Sequence, residues 1–390
     1  MQHKASLRDT GMDTRTLASS MASYAAATLD DTLAELGALV AIDAPTGDAE
    51  ALRATEDVLG ETLEALGAAV RRHPTPLGTH LEARLGPPDG DPVLVVAHYD
   101  TVWPKGTAAA RPFCVADGVA RGPGVHDMRG GLVASLAAVR GLQELGELRR
   151  PVILLLNADE EDGSTSSAEL IAALGRTACA ALVPEACLPG GALKTSRKGV
   201  ATYRFEISGQ EAHAGLTAGN GVSAVRELVA LLGELEGLAR PERGTTINVG
   251  VIGGGSRPNV VAGAAFAEVD VRVRTATEDQ RIHGELGRLG VREGATLAVR
   301  RLHDRPPMER TPAIGAAATR AREIAALLGI ELLEGSAGGA SDGNFLAPLG
   351  IPVLDGLGPE GGGAHAPDEH ILVVSLEQRV ALTALLLAFL

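Results

Sequence analysis

An α/β fold, with a mostly parallel sheet flanked by helices and a smaller α+β segment inserted into it, is predicted by three features of this sequence. Short apolar runs at Val93–Ala97, Val152–Leu156 and Ala180–Pro184 alternate with amphipathic helical patterns, as strands covered on both faces require. From Gly199 to about Leu302 the strands become half-polar, with a period of two. From Thr311 the earlier α/β character returns. The chain therefore divides into residues 1–198 as the first part of an α/β domain, 199–308 as an inserted domain, and 309–390 as the second part of the α/β domain.

The N-terminal segment is polar and rich in Ser and Thr, with no continuous apolar run of the signal-peptide kind. Its first dozen residues are expected to lack order. Leu33, Leu36, Leu39 and Val40 place a helix over Leu29–Ile42, and Leu52, Val58, Leu59, Leu63 and Leu66 place another over Ala49–Leu66. His80–Leu85 reads as a short strand and Gly86–Pro92 as a turn cluster. Helices follow at Leu132–Leu142 and Ser167–Leu174.

In the insertion, Ala201, Tyr203, Phe205 and Ile207 alternate with Thr202, Arg204, Glu206 and Ser208, and Ala265–Arg274 repeats the pattern. Such alternation marks an antiparallel sheet with one wet face. A helix from Val222 to Leu235 and a strand, Thr245–Val251, lie between; a helix around Ile282–Leu289 and a strand, Thr296–Leu302, follow. The order β-α-β-β-α-β is the split βαβ plan. Beyond it come a helix at Ile314–Leu328, a short strand at Pro352–Leu354 and a closing helix from Leu376.

Composition narrows the function. Of 390 residues 45% are apolar but only 2% aromatic, so Ala, Leu and Val must fill the interior. Thirty-five basic against 49 acidic residues leave a net charge of −14, which argues against a nucleic-acid partner, since phosphate contacts need clustered Lys and Arg. No apolar run is long enough to span a bilayer. Cys114, Cys179 and Cys187 form no paired spacing, so neither a disulfide framework nor a CxxC metal site is implied, and a reducing, cytoplasmic setting is expected. Gly356, Gly358 and Gly361 satisfy GxGxxG, but Pro359 interrupts it and no helix opens at its end. There is no GxSxG elbow and no P-loop.

The chemistry gathers at strand ends, where open α/β sheets place it. Val93–Ala97 delivers His98 and Asp100. A histidine there suits a metal through one ring nitrogen, and an Asp two residues on can accept the other N–H; an isolated HxD fits a core histidine equally well. Asp127, in RGPGVHDMRGG, stands at the start of a helix; such an Asp is most often an N-cap but could bridge two cations, and spacing does not decide between them. Val152–Leu156 runs into NADEEDG. In extended chain Glu160 and Glu161 point to opposite sides, so one could bind a metal while the other serves as a base; taken alone, the segment is an acidic surface loop. Ala180–Pro184 ends in Glu185. Three buried strands each ending in a carboxylate or histidine favour the functional reading. His98, Asp127, Glu161, Glu185 and His365 then make a complete ligand set for two zinc-like ions, each taking one His and one Glu with Asp127 between. Two such ions can share a water and lower its pKa, leaving Glu160 as the general base that hands the proton to a leaving amine.

The sequence resembles the M20 family of metallopeptidases, and most of all its glutamate carboxypeptidase branch, through HYDTVWPKG, GPGVHDMRGG, NADEEDGS, Glu185, QEAHAG, DVR, GASDGN and GGGAHAPDE, in that order from about Leu33 to the C-terminus. The resemblance implies a zinc-peptidase-like catalytic domain holding two zinc ions, with cobalt or manganese as substitutes, and an inserted lid that dimerises through residues 199–308. It implies that His98 and Glu185 hold one ion, Glu161 and His365 the other, and that Asp127 bridges them. Asp100 would orient His98, and Glu160 would be the base. His213 would reach a partner's site to stabilise the oxyanion, Arg272 would grip a substrate carboxylate, and Asn259 would sit on the substrate side. The implied activity is cleavage of an amide next to a free carboxylate, in a small molecule or short peptide; the family also contains N-acetyl-amino-acid deacetylases. Two features depart from the family pattern: Glu185 follows a proline where relatives often carry one after the acid, and His126 directly precedes Asp127. The histidines at 3, 73, 80, 283, 303 and 370 are given no role.

Overall fold

The structure, a computed structural model, describes residues 11–390 except Glu293 and the side chain of Ala218. Most of the segment expected to lack order, and His3 with it, lies outside the described residues. Met12 is tied down, its main-chain N–H donating to Glu147 Oε1 at 3.1 Å.

The chain forms two compact units. The first takes in residues up to Thr195 together with Arg310–Gly335 and Leu349–Leu390; the second comprises Ser196–Glu309 and Ser336–Pro348.

In the first unit an eight-stranded sheet runs in the order 69–75, 78–85, 152–157, 93–98, 180–183, 353–355, 193–197, 334–337. Its four middle strands, Val152–Asn157, Val93–His98, Ala180–Val183 and Val353–Asp355, are mutually parallel. The first three are buried along their whole length, which is why they read as unbroken apolar runs. The strand Gly78–Leu85 pairs antiparallel beside them. The helices Thr14–Ala27, Leu29–Val40, Gly130–Glu144 and Val373–Phe389 pack on one another and share the sheet's core. Close approach is built in at Gly131, where a Cβ would fall 1.8 Å from the Pro184 carbonyl oxygen. A glycine there lets the helix Gly130–Glu144 lie against the strand exit that carries Glu185.

Several elements escaped the sequence reading, among them the strands Leu193–Arg197 and Glu334–Ala337. Thr14–Ala27 is a helix that buries Leu17, Ala18, Met21 and Ala25, with Asp13 capping it by accepting the N–H of Thr16; half of its buried stripe is Ala, too small to stand out as hydrophobic periodicity. Ala69–Thr75 is an edge strand whose side chains are mostly polar and exposed, a common protection against edge-to-edge pairing.

The second unit is a four-stranded antiparallel sheet in the order 246–254, 264–273, 199–208, 296–305, covered by the helices Ala224–Glu236 and Ala276–Leu286. Along Gly199–Ser208 buried and half-buried residues alternate, and Tyr203, Phe205, Leu228, Leu231, Val269 and Ile282 share its core. Unlike the sequence division, this unit also takes in Ser336–Pro348. The reason is polar: Asn344 Nδ2 donates to the Lys198 and Pro306 carbonyls at 3.1 and 2.7 Å, and the Lys198 N–H donates to Ala337 O at 3.1 Å. Apolar periodicity carries no trace of such contacts.

Among the described residues no helix is long and apolar enough to cross a membrane. The three cysteines are free.

Candidate active site

The parallel strands of the first unit deliver their C-terminal ends to one place. His98 ends the strand Val93–His98 and is 1% exposed. Its Nδ1 lies 3.0 Å from the main-chain oxygen of Asp100 and 3.4 Å from Asp100 Oδ1. The nearer acceptor is thus the peptide carbonyl rather than the carboxylate that the sequence suggested. With its proton on Nδ1, the ring turns the Nε2 lone pair toward Asp127 Oδ1, at 3.3 Å, and Glu185 Oε1, at 3.6 Å. The Asp100 carboxylate accepts the Thr46 hydroxyl at 2.7 Å and the main-chain N–H groups of Glu160 and Glu161, each at 3.3 Å.

Asp127 lies in the turn Val125–Arg129, whose Asp127–Met128 peptide is cis, and the following helix begins at Gly130 without a side-chain cap. Of the two roles open to it, capping is therefore not the one taken. Its Oδ1 faces His98, and its Oδ2 lies 3.2 Å from His365 Nε2.

Glu160 and Glu161 do not sit in extended chain. They occupy one 3-10 turn, Glu160–Asp162. Asp159 braces the segment that follows, accepting the Ser166 N–H and hydroxyl at 2.6 and 2.7 Å and the Ser167 hydroxyl at 2.6 Å. The two glutamates nevertheless join different groups. Glu161 offers a carboxylate oxygen to a cluster with His98 and Asp127, Glu160 to one with His98 and Glu185, the potential ligand atoms within each lying no more than 4.8 Å apart. His365 Nε2 is 3.2 Å from Glu161 Oε2.

The electrostatics follow from crowding. Hydrogen bonds that Asp127 and Glu161 accept from its ring push His365 up to about 10, against the pull of burial. Burial opposes the charged form of His98, but Asp100 and Asp127 outweigh it and raise that group too. Asp127 is held below the usual carboxylate range because its two histidines overcome its desolvation. Glu161 is shifted up by burial and then by the charge of Asp127.

Three observations fit this group of side chains to cations. Glu161 Oε1 is buried with no hydrogen-bond partner. Asp127, Glu160, Glu161 and Glu185 crowd around only two imidazoles, an excess of negative charge that a cation would neutralise. The donors are nitrogen and carboxylate oxygen, the mixture catalytic zinc takes. His126 leaves this set undisturbed: its ring lies beside Gly361, and burial lowers it to about 4, so it stays neutral.

Sequence reasoning overlooked several supports. Glu369 is 2% exposed and accepts four N–H groups, from Trp103 Nε1, Gly124, His126 and Asp127. Arg129, fully buried, donates to the Leu39 and Ile42 carbonyls at 2.6 and 3.0 Å, anchoring the Asp127 turn to the end of the helix Leu29–Val40. The usable signal was proximity in sequence to the ligands, and it does not separate supports from solvated acids.

The remaining candidates belong to the second unit. His213 pairs with Val260, and Ala214 N–H donates to Asn259 O at 3.0 Å, so His213 and Asn259 share one corner. His213 is exposed, and its Nδ1 accepts the N–H groups of Gly215 and Leu216, both at 3.1 Å. The neutral ring therefore carries its proton on Nε2. Arg272 is on the polar face of its strand, with Nε 3.0 Å from Asp270 Oδ1 and Nη1 donating to Gly338 O at 3.1 Å.

A mostly parallel α/β sheet that gathers histidines and carboxylates beside its strand ends is an arrangement suited to a metal-dependent hydrolase. Residues 94–388 match the profile of peptidase family M20/M25/M40, and the chain belongs to that family. It is 28% identical over 363 residues to carboxypeptidase G2 of Pseudomonas sp. strain RS-16, across 90% of this chain and 86% of that one. With a succinyl-diaminopimelate desuccinylase of Gluconacetobacter diazotrophicus it shares 31% identity over 364 residues, covering 85% of this chain and 90% of the relative. An M20 family metallo-carboxypeptidase from Sulfolobus solfataricus shares the fold, with a TM-score of 0.69 at 19% identity over 92% of this chain and 98% of that one.

Proposed function

We propose that this protein is a di-zinc hydrolase that removes a C-terminal, glutamate-like amino acid from an acyl or peptidyl group. The observation that carries the reading is Asp127, which turns one carboxylate oxygen to His98 and the other to His365. His98 with Glu185 would hold one ion, His365 with Glu161 the other, and Asp127 would lie between. When bound, such ions acidify water and polarise the scissile carbonyl. Glu160 accepts the proton of the attacking water and returns it to the departing amine nitrogen. Asp100 fixes His98 and the Glu160 turn. Arg272, 40% exposed at its side chain, receives the substrate carboxylate in competition with Asp270, and Asn259 adds a polar contact on the substrate side.

We assign dimerisation to residues 199–308. Support comes from exposed apolar side chains in this segment: Val251 and Ile252 on the edge strand Thr246–Gly254, and Val225 and Val229 on the helix beside it, Ala224–Glu236. Unpartnered strand edges and apolar patches of this kind are surfaces for association. His213, with Nε2–H available, serves the partner's site as a donor to the developing oxyanion. The free cysteines Cys114, Cys179 and Cys187 fit a cytoplasmic enzyme.

A second reading, an N-acetyl-amino-acid deacetylase or aminoacylase with the same chemistry, draws support from the likeness to desuccinylases, which are also deacylating enzymes. Kinetics on a matched panel separates the two. Bulky acyl and peptidyl substrates should be cleaved only when the α-carboxylate is free, and their amidated counterparts left intact. Preference for N-acetyl amino acids overturns the carboxypeptidase reading; equal cleavage of amidated substrates removes the role of Arg272.

A further inference from the structure

We propose that Glu369 is a positioning residue that sets the geometry of the Asp127 bridge, an inference that rests on the di-zinc reading above. Its carboxylate is shared evenly. Oε1 accepts the main-chain N–H groups of His126, at 3.0 Å, and Asp127, at 3.1 Å. Oε2 accepts the main-chain N–H of Gly124, at 2.8 Å, and the indole N–H of Trp103, at 3.0 Å. All four partners are donors, which a carboxyl group can accept on its two oxygens; an amide in its place would turn its own N–H₂ toward two of them. Aspartate keeps the charge but is one methylene shorter, and it cannot span all four at once.

The three chain segments tied together here adjoin or carry three of the five proposed ligands, His98, Asp127 and His365. Trp103 follows the strand exit that bears His98, Gly124–Asp127 is the bridging turn itself, and Glu369 lies four residues beyond His365. The turn depends on its glycine. Gly124 has φ +75°, and a Cβ there would stand 2.8 Å from Thr101 Cγ2, so the N–H groups can converge on one carboxylate only because that position is bare. With its main chain pinned at His126 and at Asp127, the Asp127 side chain leaves the backbone in one direction, between His98 and His365. Glu369 reaches no substrate. It acts through Asp127.

The test uses the full-length protein and metal binding as its readout. Wild type and Glu369→Gln are stripped of metal and titrated with zinc and with cobalt, following metal content by mass spectrometry and coordination by the visible cobalt spectrum. Supports of this kind are worth about 10- to 100-fold in metal affinity. Glu369→Gln should therefore bind at least one ion about tenfold more weakly and shift the cobalt bands, with far-ultraviolet circular dichroism unchanged. Trp103→Phe, which removes one of the four donors, should keep the wild-type metal content. If Glu369→Gln does not fold, Glu369→Asp carries the same comparison, with the same weakening and spectral shift expected. A folded variant that binds two ions with wild-type affinity and spectrum overturns the proposal alone. A wild type that takes up no pair of ions overturns it together with the di-zinc reading.

Discussion

The carboxylate of Asp100 accepts the main-chain N–H of Glu160 at 3.3 Å. The acid beside His98 thus also holds the turn that presents Glu160, with a matching bond to the Glu161 N–H. Asp100→Asn would set an amide N–H₂ against these donors and should lower kcat/KM by about 10- to 100-fold. Thr46→Val removes only the hydroxyl that donates to Asp100 at 2.7 Å and should cost less than about tenfold. Steady-state kinetics on both variants checks the order; a larger loss in Thr46→Val would contradict it.

Glu160→Gln keeps the shape of the side chain and loses the base. Turnover should fall by about 10²- to 10⁴-fold, the usual worth of a positioned proton acceptor, while zinc content measured on the same preparation stays at the wild-type level. Activity within a factor of a few of wild type would remove Glu160 from its role.

Removal of metal with a chelator should abolish activity, and added zinc should restore it. His365→Ala and His98→Ala separate the two ions. Because each histidine faces a different oxygen of Asp127, each variant should retain one zinc per chain by mass spectrometry. Two ions retained in either would break the proposed division of ligands.

The second unit has an acid-sensitive tie. Glu278 accepts hydrogen bonds from Arg281, Thr245 and Arg243, and these lower it from 4.5 to about 2. A carboxyl depressed in the folded state stabilises fully above its unfolded pKa and loses that contribution as pH falls through the folded one. Glu278→Gln should therefore cost about 2 kcal/mol at neutral pH, and its gap from wild type should close between pH 4.5 and about 2. Denaturant midpoints across that range measure it. A gap independent of pH would assign the loss to packing.

Val229→Glu combined with Ile252→Glu, both at exposed apolar positions, should yield monomers by light scattering. If His213 serves a partner, mixing His213→Ala with Glu160→Gln subunits should restore part of the lost activity. Confirmed hybrids without rescue would return His213 to its own chain.

The apolar strands and the split βαβ order were legible because burial on both faces, or on one, writes directly into the side-chain period. The clustering of His98 with acids at strand ends was legible for the same reason: a strand that ends abruptly in His or Glu advertises its terminus. Less could be read where the backbone does the work. Nothing in NADEEDG distinguishes extended chain from the 3-10 turn that forms, and no residue pattern announces that His98 Nδ1 lies nearer a peptide carbonyl than the Asp100 carboxylate. Glu369 closes the GGGAHAPDE stretch, yet its role could not be read there. Its partners are main-chain N–H groups, which every residue but proline possesses.

The residues grouped at the strand ends run from His98 to His365, and Ser196–Glu309 is threaded between them as part of a separate unit. Synthesis proceeds from the N-terminus, so His365 and Glu369 are made after that whole unit. Until then Asp127 lacks its second histidine and the clasp on its turn. On the proposed assignment, a nascent chain that has not yet reached His365 cannot assemble the site, whatever unfolded polypeptide lies within reach.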